Sequence, residues 1–156
     1  MKAAYLQTIS LVERLHRQCL EVVKAELDRR GIRDLNNIQA LILYNIGAEE
    51  LSVGELTHRG YYLGSNVSYN VKKMVENGYL NQERSPHDRR SFHVRASESG
   101  LEIYTAISNL FDAHAEQISG GVVSDEDLKV TTATLHRLQL FWASPMPMGG
   151  SINPIS

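Results

Sequence analysis

The fold is decided by residues 55–80, which read ELTHRGYYLGSNVSYNVKKMVENGYL. Residues 65–77 of this stretch carry apolar side chains at the i, i+4, i+7 and i+8 spacing that places them on one face of a helix. Gly78 follows at the position where glycine commonly ends a helix. A shorter helix is predicted at 53–59, and the glycine-bounded segment 60–64 supplies a turn between the two. The apolar face of the longer helix consists of Val67, Val71, Met74 and Val75.

The opposite face of the longer helix carries short hydrogen-bonding and cationic side chains. Asparagine can bond adenine in a bidentate manner, and lysine can contact guanine or a phosphate oxygen. An ordinary solvent-facing helix would more often carry pairs of Glu with Lys or Arg. This face is therefore predicted to read DNA through Ser65, Asn66, Ser68, Tyr69, Lys72 and Lys73.

A β-hairpin is predicted after this helix, with strands at 79–84 and 91–96 joined by a polar loop that contains Pro86. A helix-turn-helix followed by such a hairpin is a winged helix, whose second helix enters the major groove while the wing reaches phosphates or the minor groove. Asp88 would pair with a neighbouring arginine and fix its direction. An ordinary solvated loop is the alternative. The wing residues predicted to contact DNA are Arg84, His87, Asp88, Arg89 and Arg90.

Amphipathic helices are predicted on both sides of this unit, so the fold class is mainly α (α+β). Their stripes hold more large apolar side chains than a lone helix can bury, which favours an obligate homodimer over a single intramolecular bundle. Two recognition helices could then face major grooves about 34 Å apart on a near-palindromic site. The predicted regions are a winged-helix DNA-binding lobe at 35–97, a helical dimerisation region at 1–34 and 98–144, and a flexible tail at 145–156.

The composition is that of a soluble globular protein, with 156 residues, 42% of them hydrophobic and 22% charged. No apolar run approaches the roughly 18 residues of a membrane span, and no secretory signal is recognised, so we predict a cytoplasmic protein without a membrane partner. The net charge of −2 conceals an asymmetry, because residues 57–95 carry +4 and the remainder −6. A local cationic surface suits a polyanion, although a solvated face without a partner is also compatible with it.

Residues 55–80, together with the wing sequence 88–91, Val94 and Gly100, resemble the MarR-type transcriptional regulators, whose wing carries an Asp-x-Arg signature. The region around residues 60–74 is also similar to the L,D-transpeptidase regulator subgroup of that family. The resemblance implies a dimer whose operator binding is relieved by a small, often phenolic, ligand. It also implies that Asp88 orients Arg90 as a minor-groove probe.

A ligand pocket is predicted between the dimerisation helices and the winged unit, since aromatic rings and a histidine suit an aromatic effector. For each residue, a place in the hydrophobic core is the alternative. Cys19 is a candidate redox sensor, although a lone cysteine on a helix stripe is more often a buried apolar residue. The candidate ligand-binding residues are His16, Tyr44, Tyr61, Tyr62 and Phe111.

No metal site, cofactor or enzymatic activity is predicted. His16 and Cys19 share a helix, but a zinc site needs three or four converging ligands. Tyr69 and Lys73 have the spacing of a dehydrogenase pair, yet no glycine-rich nucleotide-binding turn accompanies them. The prediction is a sequence-specific repressor that binds double-stranded DNA. A winged-helix protein-interaction module, and a redox or small-molecule-binding protein without DNA contact, are the alternatives.

Overall fold

The computed structural model describes residues 1–60, 64–85, 87 and 92–144, without the side chain at position 65. Six helices and three strands occupy these residues, which confirms the predicted mainly α fold class. In chain order they are α1 (Lys2–Arg29), α2 (Asn37–Ile46), β1 (Glu50–Ser52), α3 (Val53–Gly60), α4 (Gly64–Glu76), β2 (Leu80–Arg84), β3 (Phe92–Ala96), α5 (Glu98–Ser119) and α6 (Asp125–Ala143).

The predicted ends of α3, α4 and the two wing strands are confirmed within one residue. The first helix begins at Lys2, because nothing in the first residues breaks a helix. Asn36 caps α2 in a capping box with Gln39, and Gly78, with a φ of 82°, follows the end of α4. Ser124 caps α6 through a second capping box.

Two compact units divide the chain, one from Met1 to Phe111 and one from Asp112 onward. The first unit holds the hydrophobic core, to which α1, α2, α3, α4, α5 and the sheet all contribute. The predicted apolar face of α4 is confirmed, since three of its four members are buried and Val75 packs partly against the core. The largest fully buried side chains are Ile42, Leu43, Ile46, Leu56, Met74, Leu80 and Ile107.

The three strands form one antiparallel sheet in the order β1-β3-β2, so the short strand β1 lies at an edge of the sheet. The register places Leu51 and Gln82 opposite Val94, and Arg84 opposite Phe92. Side chains alternate between the two faces of a strand, so these five residues share one face. Leu51 and Val94 are buried in the core, whereas Gln82, Arg84 and Phe92 continue that face beyond it and are exposed.

Glu26 stabilises the C-terminal end of α1 through hydrogen bonds with two arginines. Its carboxylate accepts hydrogen bonds from Arg29 at 2.6 and 3.0 Å and from Arg30 at 2.8 Å, and its side chain is almost buried. The hydrogen bonds from Arg29, together with the one from Arg30, lower the pKa of Glu26 from 4.5 to about 2, although burial of the carboxylate acts in the opposite direction. A carboxyl whose pKa falls on folding stabilises the protein above its unfolded pKa, and that stabilisation is lost as the pH drops.

We expect Glu26→Gln to destabilise the protein by about 1 to 2 kcal/mol at pH 7, a value reduced because solvent screens the exposed arginines. The difference from wild type should shrink as the pH falls from about 4.5 towards 2. Thermal unfolding across that range measures it. Glu13→Gln is the matched control, because Glu13 pairs with Arg17 at 3.7 Å with both side chains exposed and should contribute little. Equal pH profiles for the two variants would contradict the role given to Glu26.

The second unit contains the end of α5 and all of α6. None of the described residues of α6 is buried. Its exposed large apolar side chains are Leu128, Val130, Leu140, Phe141 and Trp142.

Candidate nucleic-acid interface

The outer face of α4 is open to solvent, as its sequence predicted. Asn66, Ser68, Lys72 and Lys73 are exposed, and the Tyr69 side chain is 62% exposed. The side chain of Ser65 lies outside the described residues. A row of amide, hydroxyl, phenol and ammonium groups on the convex side of one helix can donate and accept hydrogen bonds along a groove of duplex DNA.

Polar contacts join α4, and the residues just after it, to neighbouring elements. Near the middle of α4, the Gln39 amide on α2 donates to Asn70 Oδ1 at 3.1 Å, and Asn70 Nδ2 donates to the Asn66 carbonyl within α4 at 2.8 Å. Just beyond its end, the Tyr79 hydroxyl donates to Asp34 Oδ1 at 2.6 Å, and Asn77 Nδ2 donates to the Asp34 carbonyl at 3.0 Å. The helix is therefore anchored to α2 and to the segment between α1 and α2.

The same contact affects the acidity of Tyr79. Burial and the hydrogen bond to Asp34 raise the pKa of its hydroxyl to about 12. The phenol therefore remains a neutral donor to Asp34 at physiological pH.

Several of the positive charges of residues 57–95 are paired with acids in the folded protein. Two arginines of residues 57–95 pair with acids outside that segment, Arg59 with Glu49 and Arg95 with Glu50. Lys73 pairs with Glu76 on α4 itself. Lys72 forms no ion pair with any described residue. Unpaired positive charge on this helix therefore comes from Lys72, beside Ser68 and Tyr69.

The predicted wing contacts are placed only in part. Arg84 is exposed at the end of β2, and its guanidinium lies 5.7 Å from the centre of the Phe92 ring on β3. His87 is exposed, and its backbone N–H donates to Ser85 Oγ at 3.3 Å. Asp88, Arg89 and Arg90 lie outside the described residues, so the predicted Asp88–Arg90 pair stays a prediction.

An open groove of about 700 Å³ is bounded by α4, the sheet and the start of α3. Ser68 and Lys72 line its helical wall, and Gln82 and Phe92 line the wall formed by the sheet. Neither Gln82 nor Phe92 was predicted from the sequence to contribute to the DNA-binding surface. Their alternation with Leu80, Val94 and Ala96 was the available signal, but it indicates a shared face and not whether that face extends past the core.

Two of the predicted ligand-binding residues come together in the first unit. Tyr44 meets Phe111 edge-to-face at 5.2 Å and stacks on Tyr104 at 5.7 Å. Tyr104 was missed as a member of this cluster. His16 is exposed on α1, and Tyr61 and Tyr62 lie outside the described residues. Tyr44, Tyr104 and Phe111 therefore form a partly buried aromatic cluster. Tyr44 and Phe111 of this cluster also pack against the hydrophobic core.

The described residues also bear on redox chemistry, metal binding and membrane insertion. Cys19 is a half-buried free thiol on α1. Across residues 1–60, 64–85, 87 and 92–144, no three His, Cys, Asp or Glu side chains converge as metal ligands would. None of the helices in the same part of the chain combines the length and hydrophobicity needed to cross a membrane.

The chain is similar in sequence to known DNA-binding and regulatory proteins. Residues 35–100 match the family model of a winged helix DNA-binding domain. The exopolysaccharide II synthesis transcriptional activator ExpG of Rhizobium meliloti is 34% identical over 145 residues, which cover 93% of this chain and 75% of that protein.

Solved structures with the same fold include Streptococcus pneumoniae FabT in complex with DNA, with a TM-score of 0.72 and 20% identity over 89% of this chain and 97% of that one. A MarR transcriptional regulator from Methanosarcina mazei has a TM-score of 0.69 and 16% identity, covering 86% of this chain and 95% of that one.

Proposed function

The chain belongs to the MarR-type winged-helix DNA-binding transcriptional regulators, and from this premise we propose that it binds a near-palindromic operator as a homodimer. The recognition helix would be α4, lying in the major groove, with the wing on the adjacent backbone and minor groove. The single observation that carries the proposal is the exposed polar face of α4, with Lys72 unpaired among the described residues and the opposite face buried. The FabT structure, with the same fold, is a complex with DNA.

A homodimer is supported by apolar surface that each unit leaves uncovered. On α1 the exposed side chains include Leu6, Leu11, Val12 and Leu15, and α6 has its own apolar set. Large exposed apolar patches mark protein interfaces. A two-fold interface made from these helices, the predicted dimerisation region 1–34 and 98–144, would place the two copies of α4 one duplex turn apart.

Footprinting on the DNA upstream of the protein's own gene tests the proposal, since it reports the site, its symmetry and its spacing together. The expected result is a protected near-palindrome whose half-site centres lie about 10 base pairs, one helical turn, apart. Sedimentation of the free protein should give a dimer. A monomer that leaves every duplex unprotected would support the protein-interaction alternative instead.

The wing makes a separate prediction about Arg90. We expect Arg90→Ala to weaken operator binding by about 1 to 3 kcal/mol without changing the melting temperature, because one charged contact in the minor groove is lost. A gel-shift titration measures it. Arg33→Ala removes the same charge from an exposed position between α1 and α2 and serves as control. Equal affinities for the two variants would remove Arg90 from the interface.

Regulation by a small aromatic ligand is proposed at the cluster of Tyr44, Tyr104 and Phe111. The sequence predicts a repressor, whereas the Rhizobium meliloti relative is named as an activator. A reporter gene carrying the footprinted site decides the sign, since repression lowers expression when the protein is supplied. The similarity to the L,D-transpeptidase regulator subgroup and the cytoplasmic location stay predictions.

A further inference from the structure

The groove beside α4 and the wing strands is lined by both elements that the proposed function places on DNA, and also by the end of β1 and the start of α3. When a helix occupies the major groove and the neighbouring wing reaches the minor groove, the strand that separates the two grooves must pass between them. That strand presents a sugar-phosphate backbone, which is anionic along its edge and apolar on the deoxyribose carbons. The groove is therefore where the backbone would pass.

The charges and the apolar surface of the groove match that occupant. Lys72 and the Ser68 hydroxyl lie on the helical wall, where both can donate hydrogen bonds to phosphate oxygens. Arg84 stands at the far end of the same sheet face, in register with Phe92. Guanidinium groups bind phosphate in a bidentate manner, so Arg84 supplies the donor geometry that a backbone phosphate requires.

Phe92 is 40% exposed, and a single exposed ring would need no explanation by itself. Its position is what distinguishes it. The ring lines the groove and lies 5.7 Å from the Arg84 guanidinium carbon, within the range of a cation–π contact. Such a contact restricts a long flexible side chain to one direction, which lowers the entropy lost when it binds a phosphate.

We propose that this groove binds one sugar-phosphate backbone of the operator, and that Phe92 is a positioning residue that directs Arg84, beside the groove, to a phosphate of that backbone. The inference rests on the proposed function, because it assumes that duplex DNA is the partner. It assigns a role to a residue that the recognition helix and the wing loop do not contain.

The test compares Phe92→Tyr, Phe92→Leu and Arg84→Ala with wild type by titrating the footprinted duplex at several salt concentrations. We expect Phe92→Leu, which keeps an apolar side chain but lacks a π face, to weaken binding about tenfold. It should also reduce the magnitude of the salt slope by about 2 for a dimer, one phosphate contact per protomer. Phe92→Tyr keeps the ring and should retain both the affinity and the slope.

The double variant Phe92→Leu with Arg84→Ala should bind no more weakly than Arg84→Ala alone, since the ring acts through that guanidinium. Leu101→Ala is the matched control, because Leu101 on α5 is also 40% exposed but does not line the groove. Wild-type affinity and salt slope in Phe92→Leu would overturn the inference while leaving the proposed function intact. Failure of the wild-type protein to bind any duplex would instead overturn the proposed function.

Discussion

Gly100→Ala is expected to destabilise the protein by about 3 kcal/mol or more, because the added methyl group has no space. A Cβ atom at this position would lie 2.2 Å from the Tyr79 carbonyl oxygen, 3.1 Å from Leu43 Cδ2 and 3.3 Å from Ala96 Cβ. The first of these is a backbone atom that already accepts a hydrogen bond from the Ser97 N–H at 3.0 Å. Relief of the clash therefore requires α5 to separate from the start of the wing.

The junction that would separate holds several elements together. The Ser97 hydroxyl donates to the Gly78 carbonyl at 2.6 Å and accepts from the Gly100 N–H at 3.1 Å. Moving α5 outward by the 1 Å or so that a normal contact needs would strain both bonds. The glycine near the wing in the family resemblance thus has a steric cause, which is the close approach of α5 to the Gly78–Tyr79 turn.

Thermal unfolding checks this prediction, with an expected fall in the melting temperature of about 6 to 12 °C for a chain of this size. Gly54→Ala is the control, since its Cβ at the second residue of α3 would meet only Ser52 Oγ, at 3.9 Å, among the described residues. Alanine there should be neutral or stabilising by a few tenths of a kcal/mol. A Gly100→Ala protein that melts with the Gly54→Ala variant would show that the junction can relax.

The elements around the candidate site could be predicted from the sequence because their signals are local. The buried face of α4 follows from the spacing of Val67, Val71 and Met74, and Gly78 ends the helix with a positive φ that glycine tolerates. The cap at Asn36 likewise depends on side chains within three residues. Such features need no knowledge of the tertiary structure.

The electrostatics of the site could not be predicted, because the partners come from distant positions. Arg95 pairs with Glu50, 45 residues away, only because β1 and β3 are adjacent in the sheet. Arg59 on α3 forms an ion pair with Glu49, which directly precedes β1. Among the described Lys and Arg residues of 57–95, those without an ion pair to another described residue are therefore Lys72 and Arg84.

The groove and its aromatic residue were missed for a related reason. Strand alternation predicts that Phe92, Val94 and Ala96 share a face, but it cannot show that the core ends at Val94. The partly buried hydrogen bond between Gln39 and Asn70 could not be predicted, because an isolated glutamine and asparagine form no recognisable sequence pattern. By contrast, the sequence predicts apolar stripes on the first and last helices, and Leu15 and Phe141 of those stripes are exposed.

Operator affinity is expected to fall by about 10⁴ between 50 and 200 mM monovalent salt, which is the largest effect foreseen for this protein. The estimate takes about four phosphate contacts per protomer, hence about eight for a dimer, and each neutralised phosphate adds about −0.9 to the slope of log K against log salt. The counterions released from the duplex supply this free energy, so the effect does not depend on the operator sequence.

A substitution of Lys72 measures how much of the slope of log K against log salt comes from contacts of α4. Lys72→Gln keeps a hydrogen-bond donor but removes the charge, so the magnitude of the slope should decrease by about 2 for a dimer. Lys24→Gln removes an equal charge from an exposed position on α1 and should leave the slope unchanged. Fluorescence anisotropy with the footprinted duplex measures both. A wild-type slope near zero would contradict DNA binding through this surface, since a helix that presents Lys72 to a phosphate must release counterions when it binds.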